Sequence, residues 1–192
     1  MLFWYRKVCD RMRGKLIVIE GTDCSGKETQ ANLLVKKLNE MGIKSQKLSF
    51  PNYETATGKI IGSCYLGKEE LCKKYLNSTE GWFKEGASNV DGMVSSLYYA
   101  ADRKYNIMEC ENLLSQGINV VLDRYTFSNM AHQGGKIIHQ EERFQFFKKI
   151  ETLEFDILNL PKPDLVILLY VPFQVTLDLQ QKRCISPDQN EK

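Results

Sequence analysis

Gly21-Thr-Asp-Cys-Ser-Gly26-Lys27-Glu28 carries two glycines with four residues between them and a lysine directly behind the second. Glycines at that spacing let several backbone N–H groups converge on phosphate oxygens, and the lysine reaches the terminal phosphates of a nucleotide. The run follows an apolar stretch and opens a helical one, which is the context the pattern requires. The positive end of that helix favours an anion further. Gly21, Thr22, Asp23, Cys24, Ser25, Gly26, Lys27, Glu28 and Thr29 are therefore read as the shell around a nucleotide's phosphates. One position departs from the pattern. Behind the lysine a Ser or Thr hydroxyl ordinarily holds Mg²⁺, and here the residue is Glu28. Thr29 lies about 100° further round the helix and does not simply take over. Glu28 either ligates the metal itself, as a hard carboxylate ligand does, or faces away and leaves it to phosphates, water and another acid. Of the two, a metal role is expected, because the first turn of this helix faces the phosphates.

Two further groups of residues could do chemistry. Val120-Val-Leu-Asp123-Arg124-Tyr125 ends an apolar run in an acid and an arginine, and ligands of parallel sheets collect beyond the carboxyl ends of strands. Asp123 there would serve a metal and its waters. The fork of Arg124 would match phosphate oxygens bidentately. The plainer reading is an ion pair at a strand end. Tyr99 and Arg103 stand four residues apart within Tyr98-Tyr-Ala-Ala-Asp-Arg103 and so share one face of a helix. Such a pair could stack on a base and hydrogen-bond its edge, although a surface cation–π pair explains them as well.

These residues need a frame. Short apolar runs at 16–20, 44–49, 118–122 and 165–170 read as strands, and the first is apolar at successive positions, as a strand covered on both faces is. Helices are expected over 27–41 and about 90–116, closed by Gly42 and Gly117, and near 141–152 and 173–183. The second carries Val90, Val94, Leu97, Tyr98, Ala101, Tyr105 and Met108 at spacings of three and four, an apolar face from which Tyr99 and Arg103 lie aside. Strands alternating with helices give an α/β fold: a parallel sheet with helices on both faces.

The chain has 192 residues, and its 26 Lys+Arg against 24 Asp+Glu leave a net charge of +2. That length suits one domain with a sizeable core. So balanced a charge gives no electrostatic ground for nucleic acid or an anionic membrane as partner, and any anion must be gripped locally. No apolar run is long enough to cross a bilayer, and the N-terminus lacks a signal peptide's cleavage pattern. The six cysteines form no Cys-x-x-Cys pair, so free thiols in a reducing cytosol are expected rather than zinc or disulfides.

Taken in order, Glu20-Gly-Thr-Asp-Cys-Ser-Gly-Lys-Glu-Thr-Gln30, Phe50-Pro-Asn-Tyr-Glu-Thr-Ala-Thr-Gly58, Leu97-Tyr-Tyr-Ala-Ala-Asp-Arg103, Asp123-Arg-Tyr-Thr-Phe-Ser128, His132-Gln-Gly134 and Leu160-Pro-Lys-Pro-Asp164 resemble the thymidylate kinase family over about residues 14–183. The resemblance implies a P-loop α/β kinase, commonly homodimeric, that transfers the γ-phosphoryl of ATP to dTMP with Mg²⁺. It implies that Asp23 serves the nucleotide's sugar and phosphate, that Phe50 and Pro51 wall a thymine pocket, and that Tyr99 stacks on thymine while Arg103 hydrogen-bonds it. Arg124 would hold the acceptor phosphate, Asp123 would serve Mg²⁺ and its waters, and Gln133 would line the acceptor site. Lys27 and Arg124 would supply cations to the moving phosphoryl group.

The chain departs from the family pattern in four places. Glu28 replaces a hydroxyl, Ser49 stands where an arginine often precedes the Phe-Pro pair, and His132 replaces an aromatic at the sugar's 2′ face. The family's basic lid, last strand and terminal helix would follow Gln181-Lys182-Arg183, where these residues end. Met12-Arg-Gly-Lys15, leading straight into the first strand, reads as a protein start, so residues 1–11 are expected to be an extension and 12–192 a single kinase domain without that end. Slow turnover and an apolar sheet edge near 165–170 follow. Besides a dTMP kinase, a kinase of another nucleotide or nucleoside and a non-catalytic nucleotide-binding protein remain open.

Overall fold

Alternation along the first apolar run divides its side chains between two faces, and both are covered. In the computed structural model, which describes residues 13–185, strand β1 (Leu16–Gly21) lies between β3 (Asn119–Asp123) and β4 (Leu165–Leu169), with β2 (Ser45–Ser49) beyond β3. The sheet order is β2-β3-β1-β4 and every pairing is parallel. The expected extension over residues 1–11 and the polar tail beyond residue 185 lie outside the described residues, as do the side chains of Lys182 and Arg183.

Leu16 and Val18 of β1 join Val120 and Leu122 of β3 on one face. There they pack on Ile107, Cys110 and Leu114 of helix α4 (Gly92–Ser115) and on Phe155 and Leu160. Ile19 and Val121 point to the other face and meet Ala31, Leu34 and Val35 of helix α1 (Lys27–Glu40). A third cluster, Ile61, Tyr65 and Val90 with Tyr53, Phe83, Tyr98 and Tyr99, lies beside α4. Ile61 and Tyr65 come from a π-helical turn (Ile60–Tyr65) that continues α2 (Ala56–Lys59) and precedes α3 (Glu69–Leu76). Helices α5 (Thr126–Gly134), α6 (Gln140–Glu151), a second π-helical turn (Thr152–Ile157) and α7 (Phe173–Ile185) complete the chain.

The strands and the four expected helices fall where periodicity sets them, within about two residues. The helices between residues 56 and 76, and α5, have no counterpart in the sequence reading. The larger difference concerns α4. The stripe expected as its apolar face is not its buried one: Val94, Leu97, Tyr105 and Met108 are exposed, whereas Ser95, Ser96, Asp102 and Arg103 are buried along with Ala100, Ile107, Cys110 and Leu114. At the far edge of the sheet, Leu165, Val166, Leu168 and Tyr170 are exposed as well, the apolar edge expected there.

Candidate active site

The loop between β1 and α1 closes on itself. A side chain at Gly21 would meet the Leu169 carbonyl oxygen and Ser25 Oγ at 2.7 Å, so the strand end has room only for hydrogen. Gly26 adopts φ +83°, the left-handed region that glycine enters without strain. Lys27 is buried and donates from Nζ to the Thr22 carbonyl at 2.6 Å. Burial and then the nearby Arg124 charge lower its pKa, against the pull of Asp23, Asp123 and Glu20. An ammonium held on a loop carbonyl with several carboxylates nearby is ready to move onto a phosphate. Glu28 takes the outward course: its carboxylate is 66% exposed and pairs with Lys47 of β2 at 3.3 Å. The metal role expected for it competes with that ion pair. Asp123 is different. Its Oδ1 is buried with no hydrogen-bond partner among the described residues, and burial raises its pKa despite Arg124, Lys27 and Lys47.

Arg124 follows β3 with φ +69°, a conformation that costs a non-glycine residue energy and persists only where its surroundings enforce it. The enforcement comes from Glu20 at the end of β1, which is 4% exposed. Its Oε1 accepts from the backbone N–H of Tyr125 at 2.9 Å and of Ser128 at 3.1 Å, and its Oε2 from Ser128 Oγ at 2.5 Å. A carboxylate from a neighbouring strand thus caps α5, which has no side-chain cap of its own. Arg124 does not pair with Asp123, as the plainer reading had it, but with Asp23 of the loop. Burial pushes the Asp23 carboxyl up, but the hydrogen bond and charge of Arg124 outweigh it, and its pKa is lowered.

Beyond this turn opens a cavity of about 580 Å³, and all eight residues expected at an acceptor site line it: Asp23, Phe50, Pro51, Tyr99, Arg103, Arg124, His132 and Gln133. Lys27 and Glu28, which open α1, and Asp123, which ends β3, do not line it. The cavity's inner wall rests on buried charge. Arg103 is not the surface partner of Tyr99: it is 3% exposed and forks onto Glu154, which is fully buried. Its Nε reaches Glu154 Oε2 at 2.5 Å and its Nη2 reaches Oε1. Asp102, also buried, accepts from Thr57 Oγ1 at 2.7 Å, from Asn106 Nδ2 at 2.9 Å and from the Asn52 N–H at 3.1 Å. It thereby ties α4 to the segment that carries Phe50 and Pro51. Tyr99 meets Tyr65 edge-on at 5.9 Å and Phe50 tilts on Tyr125 at 6.0 Å, so both rings are braced from behind. At the rim, burial and the Arg124 and Lys27 charges lower the pKa of His132 against the pull of Asp23, which leaves its imidazole neutral at neutral pH.

The sequence reading assigns no role to Glu20, Asp102, Asn129 or Glu154. A lone carboxylate closing an apolar strand marks Glu20, and its place beside Arg103 marks Asp102. Glu154 lies in Thr152-Leu-Glu-Phe-Asp-Ile157, where no local signal distinguishes it from the exposed Asp156.

A family model described as thymidylate kinase matches residues 19–192. The human thymidylate kinase is 34% identical over 157 residues, 82% of this chain and 61% of that protein. The Plasmodium falciparum thymidylate kinase is 34% identical over 163 residues, 85% of this chain and 64% of that protein. Among solved structures, the thymidylate kinase of Candida albicans matches with a TM-score of 0.62 and 27% identity, covering 93% of this chain and 79% of that one. The chain therefore spans 61–64% of the length of these and a further curated relative. With its loop, its sheet and the order of its motifs, this chain belongs to the thymidylate kinase family.

Proposed function

We propose that this chain binds Mg·ATP at the Gly21–Thr29 loop and dTMP in the adjoining cavity, and transfers the γ-phosphoryl group to give dTDP and ADP. One observation carries the reading: a single cavity joins base-sized aromatic walls and a buried arginine at one end to Arg124 and the phosphate loop at the other. In the reaction an oxygen of the dTMP phosphate attacks the γ-phosphorus as the bond to the β,γ-bridging oxygen breaks. Little covalent help is needed; the work is alignment and the neutralisation of charge. Tyr99, Phe50 and Pro51 hold the ring, Arg103 its edge, and Arg124 the acceptor phosphate. Lys27 leaves the Thr22 carbonyl for the terminal phosphates of ATP.

Asp123 fits a metal's hydration shell, because a buried carboxylate oxygen without a partner is completed by a cation or its water. When bound, Mg²⁺ neutralises charge on the phosphates. Glu28 would add a second carboxylate only after giving up Lys47. The reading is tested by ADP release with dTMP, dUMP, dCMP and thymidine as acceptors. It predicts that dTMP is turned over best. Faster turnover of another monophosphate would overturn the acceptor assignment. ATP binding without turnover of any acceptor would favour a nucleotide-binding protein that is not a kinase.

Two properties of the assembly complete the proposal. The exposed face of α4, with Val94, Leu97, Tyr105 and Met108, suits a homodimer contact. Leu97→Lys should then convert a dimer into a monomer in sedimentation, and a wild-type monomer would refute the contact. Cys24, Cys64, Cys72 and Cys110 are free thiols, consistent with the reducing cytoplasm, where we place the reaction. Among the described residues, no helix is long and apolar enough to cross a membrane.

A further inference from the structure

Lys47 of β2 is more enclosed than a surface lysine. Its side chain is 23% exposed, against 60–71% for Lys15, Lys37 and Lys73 in the other lysine–carboxylate pairs. An ammonium gives up water at a cost, and a partner as open as Glu28 returns little of it. The direction of the side chain follows from the sheet. Lys47 is level with Val121 of β3, and side chains level on neighbouring strands share a face. Val121 packs under α1, so Lys47 points to the α1 side, and Asp123, two residues past Val121, points there as well. At 3.3 Å its Nζ meets Glu28, next in sequence to Lys27 in the first turn of α1. Burial raises the pKa of Asp123, and Lys47 is one of the cations, after Arg124 and Lys27, that pull it back. Three cations therefore gather at the loop, each on a partner that a phosphate can displace: Lys27 on the Thr22 carbonyl, Arg124 on Asp23 and Lys47 on Glu28.

We propose that Lys47 is a third phosphate-binding cation of the nucleotide site, held on Glu28 until a nucleotide's phosphates take the carboxylate's place. Its position beside the neighbour of Lys27 assigns it to the terminal phosphates. The inference rests on the proposed nucleotide site and gives Glu28 a function on its outward course: it is the stand-in acceptor that keeps a half-buried ammonium in place. Once released, a carboxylate 66% exposed needs no new partner but water. The plainer role for Lys47 is neutralisation, in which it only cancels the charge that Glu28 would turn against ATP.

The two roles separate in a double-variant cycle. Affinities of the full chain for ATP and AMP are measured by calorimetry in EDTA for the wild type, Lys47→Met, Lys47→Arg, Glu28→Gln and the double variant. A cation about 4 Å from a phosphate is worth about fivefold in affinity even at the dielectric of water. Lys47→Met should therefore lose at least about fivefold for ATP and less for AMP, which lacks the terminal phosphates. A loss of the same order should appear when Lys47→Met is made in Glu28→Gln, and Lys47→Arg should keep most of the wild-type affinity. Glu28→Gln alone should bind ATP more tightly, because the phosphates no longer compete for the ammonium. If Lys47→Met costs nothing in the Glu28→Gln background, the lysine only neutralises Glu28 and the inference is overturned. An equal loss for ATP and AMP would mean a merely structural lysine and overturn it as well. Lys47→Gln takes the place of Lys47→Met should the latter not fold. Wild-type protein that binds neither nucleotide would remove the nucleotide site itself, an outcome distinguishable because it is read before any variant.

Discussion

The phosphate loop and the nucleoside end of the cavity both set arginine or lysine against carboxylates or carbonyls, yet they do so at opposite depths. At the loop, Arg124 rests on Asp23, whose side chain is 57% exposed, and beside it Lys47 of β2 rests on Glu28, which is 66% exposed. Exposed pairs of this kind contribute about 0–1 kcal/mol, so a phosphate can replace such a partner at little cost. At the other end Arg103 and Glu154 are 3% and 0% exposed. Separating a buried pair costs about 3–5 kcal/mol, because one charge is left without water or partner. The difference teaches a division of labour. The loop holds its cations on stand-ins that the nucleotide displaces, while the pocket holds its arginine permanently, ready for a ring that has no charge to attract it.

That division can be broken from either side. The largest effect is expected at Lys27, the buried cation of the exchanging loop. A cation on the moving phosphoryl is worth ~10³–10⁵ in rate, so Lys27→Met should lose at least ~10³ in kcat. Measured beside it, dTMP affinity should stay within a few-fold, and a parallel loss would place Lys27 in the acceptor site. Next comes Glu154→Ala, which should destabilise the fold by about 3–5 kcal/mol in denaturant unfolding. A loss under ~1 kcal/mol would mean that Arg103 finds another acceptor and the pocket is not fixed. Tyr99→Ala removes the stacking face, worth ~1–3 kcal/mol, and should raise the KM for dTMP several-fold to about a hundredfold while kcat changes less. A fall in kcat alone would contradict a stacking role.

The smallest effect sharpens the exposed side. The folded pKa of Asp23 lies below its ordinary value, so its contribution to stability is present at neutral pH and disappears as pH falls through that lowered value. Asp23→Asn should therefore lower the Tm slightly at neutral pH and converge with the wild type in acid, which flattens the acid side of the Tm-against-pH curve, and salt should shrink the neutral-pH difference further. A large change at neutral pH would show that Asp23 is structural rather than a stand-in for a ligand.

How far these two regions are legible in the sequence follows from their physics. The loop is a local object: its glycines, its lysine and the strand and helix that hold it are contiguous, and residues 16–40 contain the whole device. The pocket is not. Arg103 reaches a carboxylate 51 residues away, and Asp102 holds a threonine 45 residues before it. Hydrophobic periodicity marks Val94, Leu97, Tyr105 and Met108 as the apolar face of α4, but burial depends on partners that periodicity does not see. Ser95, Asp102 and Arg103 turn inward because each finds a hydrogen-bond partner there, while Ser96 satisfies its hydroxyl on the Gly92 carbonyl of its own helix. Glu28 shows the same limit from the other direction. Its place behind Lys27 suggests a metal ligand, yet Lys47 comes within 3.3 Å across the gap from β2.

The most direct test is a crystal structure of the chain with dTMP and a non-hydrolysable ATP analogue. The account predicts thymine in the cavity against Tyr99, Lys27 Nζ moved from the Thr22 carbonyl to a phosphate oxygen, Arg124 drawn from Asp23 to the acceptor phosphate, and the Arg103–Glu154 pair unmoved. An empty cavity beside an occupied loop, or an Arg103 that leaves Glu154 to meet the nucleotide, would contradict it.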